Sequence, residues 1–225
     1  MPITISFASQ KGGVGKSTLA RGLLAVASHV MKARLADLDP QQASVVAWER
    51  ARERNEAGER CEVVPYASLA DAMAASGDVE LLIIDTPAGT SPATLQIAQH
   101  SHLVVQPTGA SADDLVPAIL TFHELVKEGV PKERLAIAIC RILSEGEEAT
   151  IRAYVEAAGY QVLAGAIYER IAYREAQNRG QAITETKSAA LNAQAEALME
   201  ALLDKVADEI RRGAAVAPAK QAEQP

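Results

Sequence analysis

Ile3-Thr4-Ile5-Ser6-Phe7-Ala8-Ser9-Gln10-Lys11-Gly12-Gly13-Val14-Gly15-Lys16-Ser17-Thr18 is the stretch that decides the fold. Ile3–Ala8 is a short apolar run of strand length. A glycine-rich loop follows, and a helix is expected to begin near Lys16. Strand, loop and helix in that order make a phosphate cradle. Gly12, Gly13 and Gly15 reach backbone angles closed to other residues, so successive N–H groups, with Val14 among them, turn toward phosphate oxygens. The helix adds its positive N-terminal end. Lys16 then reaches the β- and γ-phosphates, Ser17 coordinates Mg²⁺ through its hydroxyl, and Thr18 contacts the α-phosphate. The loop predicts ATP and Mg²⁺ as cofactors. The bland alternative is a glycine-rich loop with solvated lysines, and the flanking strand and helix argue against it.

Outward from this loop, apolar runs of strand length recur at Arg34–Leu38, Leu81–Ile84, His102–Gln106 and Leu135–Cys140. Helical patterns lie between them, with one face at Leu19, Leu23, Val26 and Val30 and another at Val116, Ile119, Leu120 and Leu125. Alternating strand and helix predicts an α/β fold, a doubly wound and mostly parallel sheet with helices on both faces. A long closing helix is expected over Ala189–Arg212, with Leu191, Ala195, Leu198, Leu202 and Val206 inward and Arg211 and Arg212 complementing its dipole. Residues 1–212 read as a single domain and 213–225 as a flexible tail.

The chain has 225 residues, 48% hydrophobic but only 4% aromatic, so Ala, Val, Leu and Ile must fill one core. A net charge of −7 provides no whole-molecule attraction for nucleic acid, and any DNA contact needs a local basic patch. Cys61 and Cys140 lie far apart without zinc or disulfide spacing, which suits a reducing cytoplasm. No leader and no apolar run of about 18 residues is visible, so a soluble cytoplasmic protein is expected. His29, His100, His102 and His123 show no metal spacing, and Trp48 and Tyr66 read as packing groups.

Two further segments carry chemistry. Asp37-Leu38-Asp39-Pro40-Gln41 sits at the end of the second strand, where ligands collect in a doubly wound sheet. One carboxylate there can hold Mg²⁺ and another can position an attacking water. Both could instead cap a helix starting after Pro40. Leu81-Leu82-Ile83-Ile84-Asp85 is a buried strand ending in a carboxylate, set opposite Ser17 for the metal, with a mobile Gly89 loop beyond it.

The loop lacks the first glycine of the strict GxxxxGK[ST] pattern, since Gln10 stands there, and it carries a second lysine, Lys11. In this it resembles the deviant Walker A motif of the ParA/MinD family of ATPases. The three motifs occur in that family's order, and the likeness runs from Ile3 to about Ile183. Short partition ATPases without an N-terminal helix-turn-helix domain are the nearest match. The resemblance implies that Lys11, Lys16 and Asp39 are catalytic, with Asp39 activating water and Ser17, Asp37 and Asp85 around the metal. It implies that Lys11 reaches the partner's nucleotide in an ATP-dependent homodimer, a chemically sensible place for positive charge. Ser111-Ala112-Asp113-Asp114 resembles a helix start near that interface, with Asp113 or Asp114 equally suited to capping. Arg141 is implied to pack near the adenine. Arg170, Arg174 and Arg179 are implied to touch DNA phosphates without sequence preference, although a solvated mixed-charge helix explains them nearly as well.

The function implied is a slow, partner-stimulated ATP hydrolase that drives plasmid or chromosome partition with a ParB-like, centromere-binding adaptor, associating with the nucleoid when ATP-bound. A MinD-like membrane-cycling or other cargo-positioning ATPase is the alternative, although the Ala/Pro-rich end suits a lipid surface poorly. An ATP-dependent metabolic enzyme on the same scaffold is another. An iron-protein-like reductase would need cluster cysteines that Cys61 and Cys140 do not supply.

Overall fold

The computed structural model describes residues 2–39, 42–89 and 91–216, with side chains up to residue 212. Seven strands build one sheet: β1 (Ile3–Phe7), β2 (Ala33–Asp37), β3 (Glu62–Pro65), β4 (Leu81–Asp85), β5 (Leu103–Thr108), β6 (Leu135–Ile142) and β7 (Gln161–Tyr168). Their order is β3-β2-β4-β1-β5-β6-β7. Every pairing is parallel. Parallel neighbours need crossovers, which are mostly helical: α1 (Lys16–Ala27), α2 (Ser44–Arg54), α3 (Leu69–Ala74), α4 (Pro92–His100), α5 (Ala112–Lys127) and α6 (Glu145–Ala157). Two more, α7 (Ile171–Asn178) and α8 (Ala189–Val216), follow the last strand.

The strands read as continuous apolar runs because both faces of the sheet are covered. Ile83 packs on one side with Ile5, Phe7, Leu35, Leu19 and Leu23 of α1, and Leu198 and Leu202 of α8. Its neighbour Ile84 points to the other side, with Ala72 of α3 and Ile97 of α4. Farther along that second face, Ile137 and Ile139 meet Leu115, Ile119 and Phe122 of α5 and Ile151 and Val155 of α6. The register places Phe7, Asp85 and Asp37 at one level on three adjacent strands. The loops after β1, β2 and β4 therefore converge at a single edge.

Several expectations shift. The sheet is parallel throughout rather than mostly so. Beyond the expected runs it includes β3 and β7, edge strands that bury only part of their residues and so lack a full apolar signature. Val30 is 73% exposed, because α1 ends at Ala27 and Val30 lies past the helix. Val116 and Leu120 are also exposed. The buried stripe of α5 runs through Leu115, Ala118, Ile119, Phe122 and Leu125 instead. The helix after Asp39 starts only at Ser44, and Pro40 and Gln41 lie outside the described residues. The closing helix continues beyond Arg212 to Val216, so the first tail residues are helical. Residues 217–225 lie outside the described residues. Arg211 and Arg212 pair with Asp208 and Glu209 one turn back, rather than standing free at a helix end.

Candidate functional site

Two of the three glycines in the loop between β1 and α1 take the expected angles, and Gly12 has no positive φ. Gly13 has φ +76° and Gly15 φ +118°, backbone that glycine adopts without strain. Gly15 is the N-cap of α1 and no side chain caps the first turn, so its N–H groups stay available to an anion. A Cβ at Gly15 would lie 3.5 Å from the Cβ of Cys140, so the loop also packs closely on β6.

Around this loop the strand ends collect charge. Lys16 is 8% exposed, and burial lowers its pKa against the opposing pull of Asp85 and Asp39. Asp37 is 1% and Asp85 2% exposed. Burial raises the pKa of both, Asp85 to about 6, while a hydrogen bond from Ser17 pulls Asp85 back down. Asp37 Oδ1 accepts the Asp39 N–H at 2.9 Å. The other oxygen, Asp37 Oδ2, and Asp85 Oδ1 are buried without a hydrogen-bond partner. Two orphaned carboxylate oxygens beside a serine hydroxyl fit a hard divalent cation such as Mg²⁺. Among the described residues no group of three or more His, Cys, Asp or Glu side chains could hold a metal. A cation held there would take its remaining ligands from phosphate and water.

Asp39 lies at the rim, where its Oδ1 accepts the Gln42 N–H at 3.3 Å. The capping role expected as an alternative is not met, since α2 starts at Ser44 with Ala43 at its N-cap and no side-chain cap; the Asp39 contact closes a turn instead, and the carboxylate remains beside Lys16. A cleft of about 430 Å³ is lined by Gly13, Gly15, Lys16, Ser17 and Thr18 on the loop side. Ile167, Tyr168 and Tyr173 form part of its opposite wall. Arg141 has φ +58°, and its Nη1 donates to the Gly13 carbonyl at 2.6 Å. It lines the cleft while braced on the phosphate loop. Lys11 sits on the loop's other flank, with Nζ 2.6 Å from Asp114 Oδ1 at the start of α5.

The three arginines expected to meet DNA are not brought together. Arg170 stacks over Tyr168 at 5.3 Å and, with Arg174, lines the cleft. Arg179 lies at the other end of α7, where its carbonyl accepts from Asn55. Sequence reading also missed Arg21 and Gln177, which line the cleft. Arg21 lies one turn after Ser17 on the same helix face, a spacing that could have signalled it. Gln177 had no such signal.

The model of the CobQ/CobB/MinD/ParA nucleotide binding domain matches residues 5–183. The chain belongs to this family. A relative from Gloeobacter kilaueensis, maintenance of carboxysome distribution protein A, is 28% identical over 147 residues, 65% of this chain and 67% of the relative. MinD in the MinC:MinD cell division complex of Aquifex aeolicus superposes with a TM-score of 0.72 at 16% identity, covering 90% of this chain and 96% of MinD. A plasmid partition protein of Borrelia burgdorferi B31 bound to AMPPNP gives 0.69 at 20% identity, covering 91% and 100%. At such identities the two structures establish the family fold, and the site rests on this chain's own side chains. Among the described residues no helix is long and apolar enough to cross a membrane.

Proposed function

We propose that this protein is a cargo-positioning ATPase that binds Mg·ATP on Lys11–Thr18, dimerises around it, and engages DNA non-specifically while an adaptor stimulates turnover. The observation that carries the reading is the pair of buried, unpartnered carboxylate oxygens of Asp37 and Asp85 beside Ser17, at the mouth of a glycine cradle. Bound Mg²⁺ would offset charge on the phosphates. Lys16 holds the phosphate chain, Thr18 donates to it, and Asp39 orients the attacking water and takes its proton. Lys11 acts in trans after leaving Asp114. Arg170 and Arg174, at the rim, are the DNA contacts favoured by position, and Arg179 is too far along α7 to share their patch. The relatives' names refer to carboxysome distribution, cell division and plasmid partition, which supports positioning as the class of function, with plasmid or chromosome as the cargo proposed here.

ATPase rate and co-sedimentation with ATP, measured with and without non-specific duplex DNA and liposomes, test this reading. DNA-dependent pelleting or stimulation is expected. Its absence in the wild type defeats the DNA role, and pelleting with liposomes instead points to membrane cycling. Asp39→Ala should keep ATP binding and dimerisation but stop turnover, whereas Lys16→Ala should weaken binding itself.

A further inference from the structure

Thr18 and Arg21 lie on one side of α1, and both reach a single atom of α7. Gln177 Oε1 meets Arg21 Nη1 at 3.0 Å and Thr18 Oγ1 at 3.2 Å. A guanidinium carries donors only, so the atom it meets is the amide oxygen, and Thr18 must be the donor in its own bond. A hydroxyl has one proton to give. In the function proposed above, on which this inference rests, that proton goes to an α-phosphate oxygen.

We propose that Gln177 is a positioning residue that competes with bound nucleotide for the Thr18 hydroxyl proton, and so ties nucleotide occupancy to the placement of α7. The competition matters because the C-terminal end of α7, which carries Gln177, is tied to two other helices. Past its C-terminal end, Arg52 Nη1 donates to the Gly180 carbonyl and Trp48 Nε1 to the Gln181 carbonyl, each at 3.0 Å. Both donors belong to α2, the helix that follows the Asp37–Asp39 segment. Toward the cleft, Gln177 is fastened to the phosphate-loop helix through Thr18 and Arg21. When Thr18 turns to phosphate, Gln177 retains Arg21 alone, and the C-terminal end of α7 loses one of its two ties to α1. The helix that carries Arg174 and follows Arg170 thereby reports on the phosphate loop.

The test is ADP affinity with Mg²⁺, since ADP includes the α-phosphate without requiring turnover. Gln177→Met keeps the length of the side chain and removes the acceptor. It should tighten ADP binding about five-fold, the worth of one net hydrogen bond. Thr18→Val should weaken binding, and adding Gln177→Met to Thr18→Val should change nothing further, because the contested proton is gone. A residue that merely shapes the pocket would weaken binding when replaced and would act equally in both backgrounds. Thermal unfolding confirms the fold of each variant, with Gln177→Leu used if the Met variant is unstable. Weaker or unchanged ADP binding in a folded Gln177→Met protein overturns the proposal and leaves the nucleotide assignment standing. An unchanged affinity in Thr18→Val overturns the Thr18 contact and the proposal together.

Discussion

Replacing Asp85 by Asn is expected to stabilise the metal-free protein while removing its response to Mg²⁺. The carboxyl is 2% exposed, and burial, partly offset by Ser17, Lys16 and Arg21, raises its pKa from 3.8 to about 6. Below pH 3.8 the folded and unfolded chains both hold the proton. As pH rises toward 6 the unfolded chain releases it while the folded one retains it, so folding loses stability through that window and pays the full cost above it. The interval, about 2 pH units at 1.36 kcal/mol each, amounts to about 3 kcal/mol. Asparagine keeps the volume and an acceptor for Ser17 but cannot ionise. Urea unfolding in chelator, without nucleotide, should therefore show Asp85→Asn more stable than wild type at pH 7.5 by up to about 3 kcal/mol. The two should converge near pH 4. Mg·ADP should then raise the wild-type midpoint much more than the variant's. A variant no more stable than wild type at pH 7.5, or a gap that does not close on acidification, would refute the claim that this carboxylate is held at a cost for a cation.

Three further outcomes follow from the geometry. Gly180→Ala should lower stability by more than about 2 kcal/mol, read as a urea midpoint. The residue has φ +81°, and a Cβ there would overlap the backbone of Arg52. Asp114→Ala should alter stability by less than about 1 kcal/mol, since its ion pair with Lys11 is partly exposed. By releasing Lys11 it should also let ATP-dependent dimers form at lower protein concentration in sedimentation, and an unchanged threshold would remove the trans role from Lys11. Cys61 and Cys140 are each 2% exposed, and burial pushes the Cys140 thiol up to about 12, so thiol reagents at pH 8 should modify native protein far more slowly than unfolded protein.

Much of the site could be read from local pattern. The cradle glycines, Lys16 and Ser17 are contiguous, and Asp37 and Asp85 each end an apolar run, so strand period and loop chemistry located them. The edge strands β3 and β7 escaped because partial burial leaves them without a continuous apolar run. Val116 and Leu120 were misassigned because their spacing fits a helical face as well as that of Leu115, Ile119 and Phe122. Composition could not say which stripe met the sheet.

By itself, the sequence determined the strand–loop–helix that makes a phosphate cradle and the two carboxylates that end buried strands. It also determined the alternation that requires a parallel sheet, because backbone geometry and burial period act over a few residues. Tertiary structure alone decided that Asp37 and Asp85 stand in register on neighbouring strands with orphaned oxygens. It also set Lys11 against Asp114, and Gln177 within reach of Thr18 across 159 positions of chain. Such pairings depend on how crossovers stack helices on a twisted sheet, and no local periodicity encodes that.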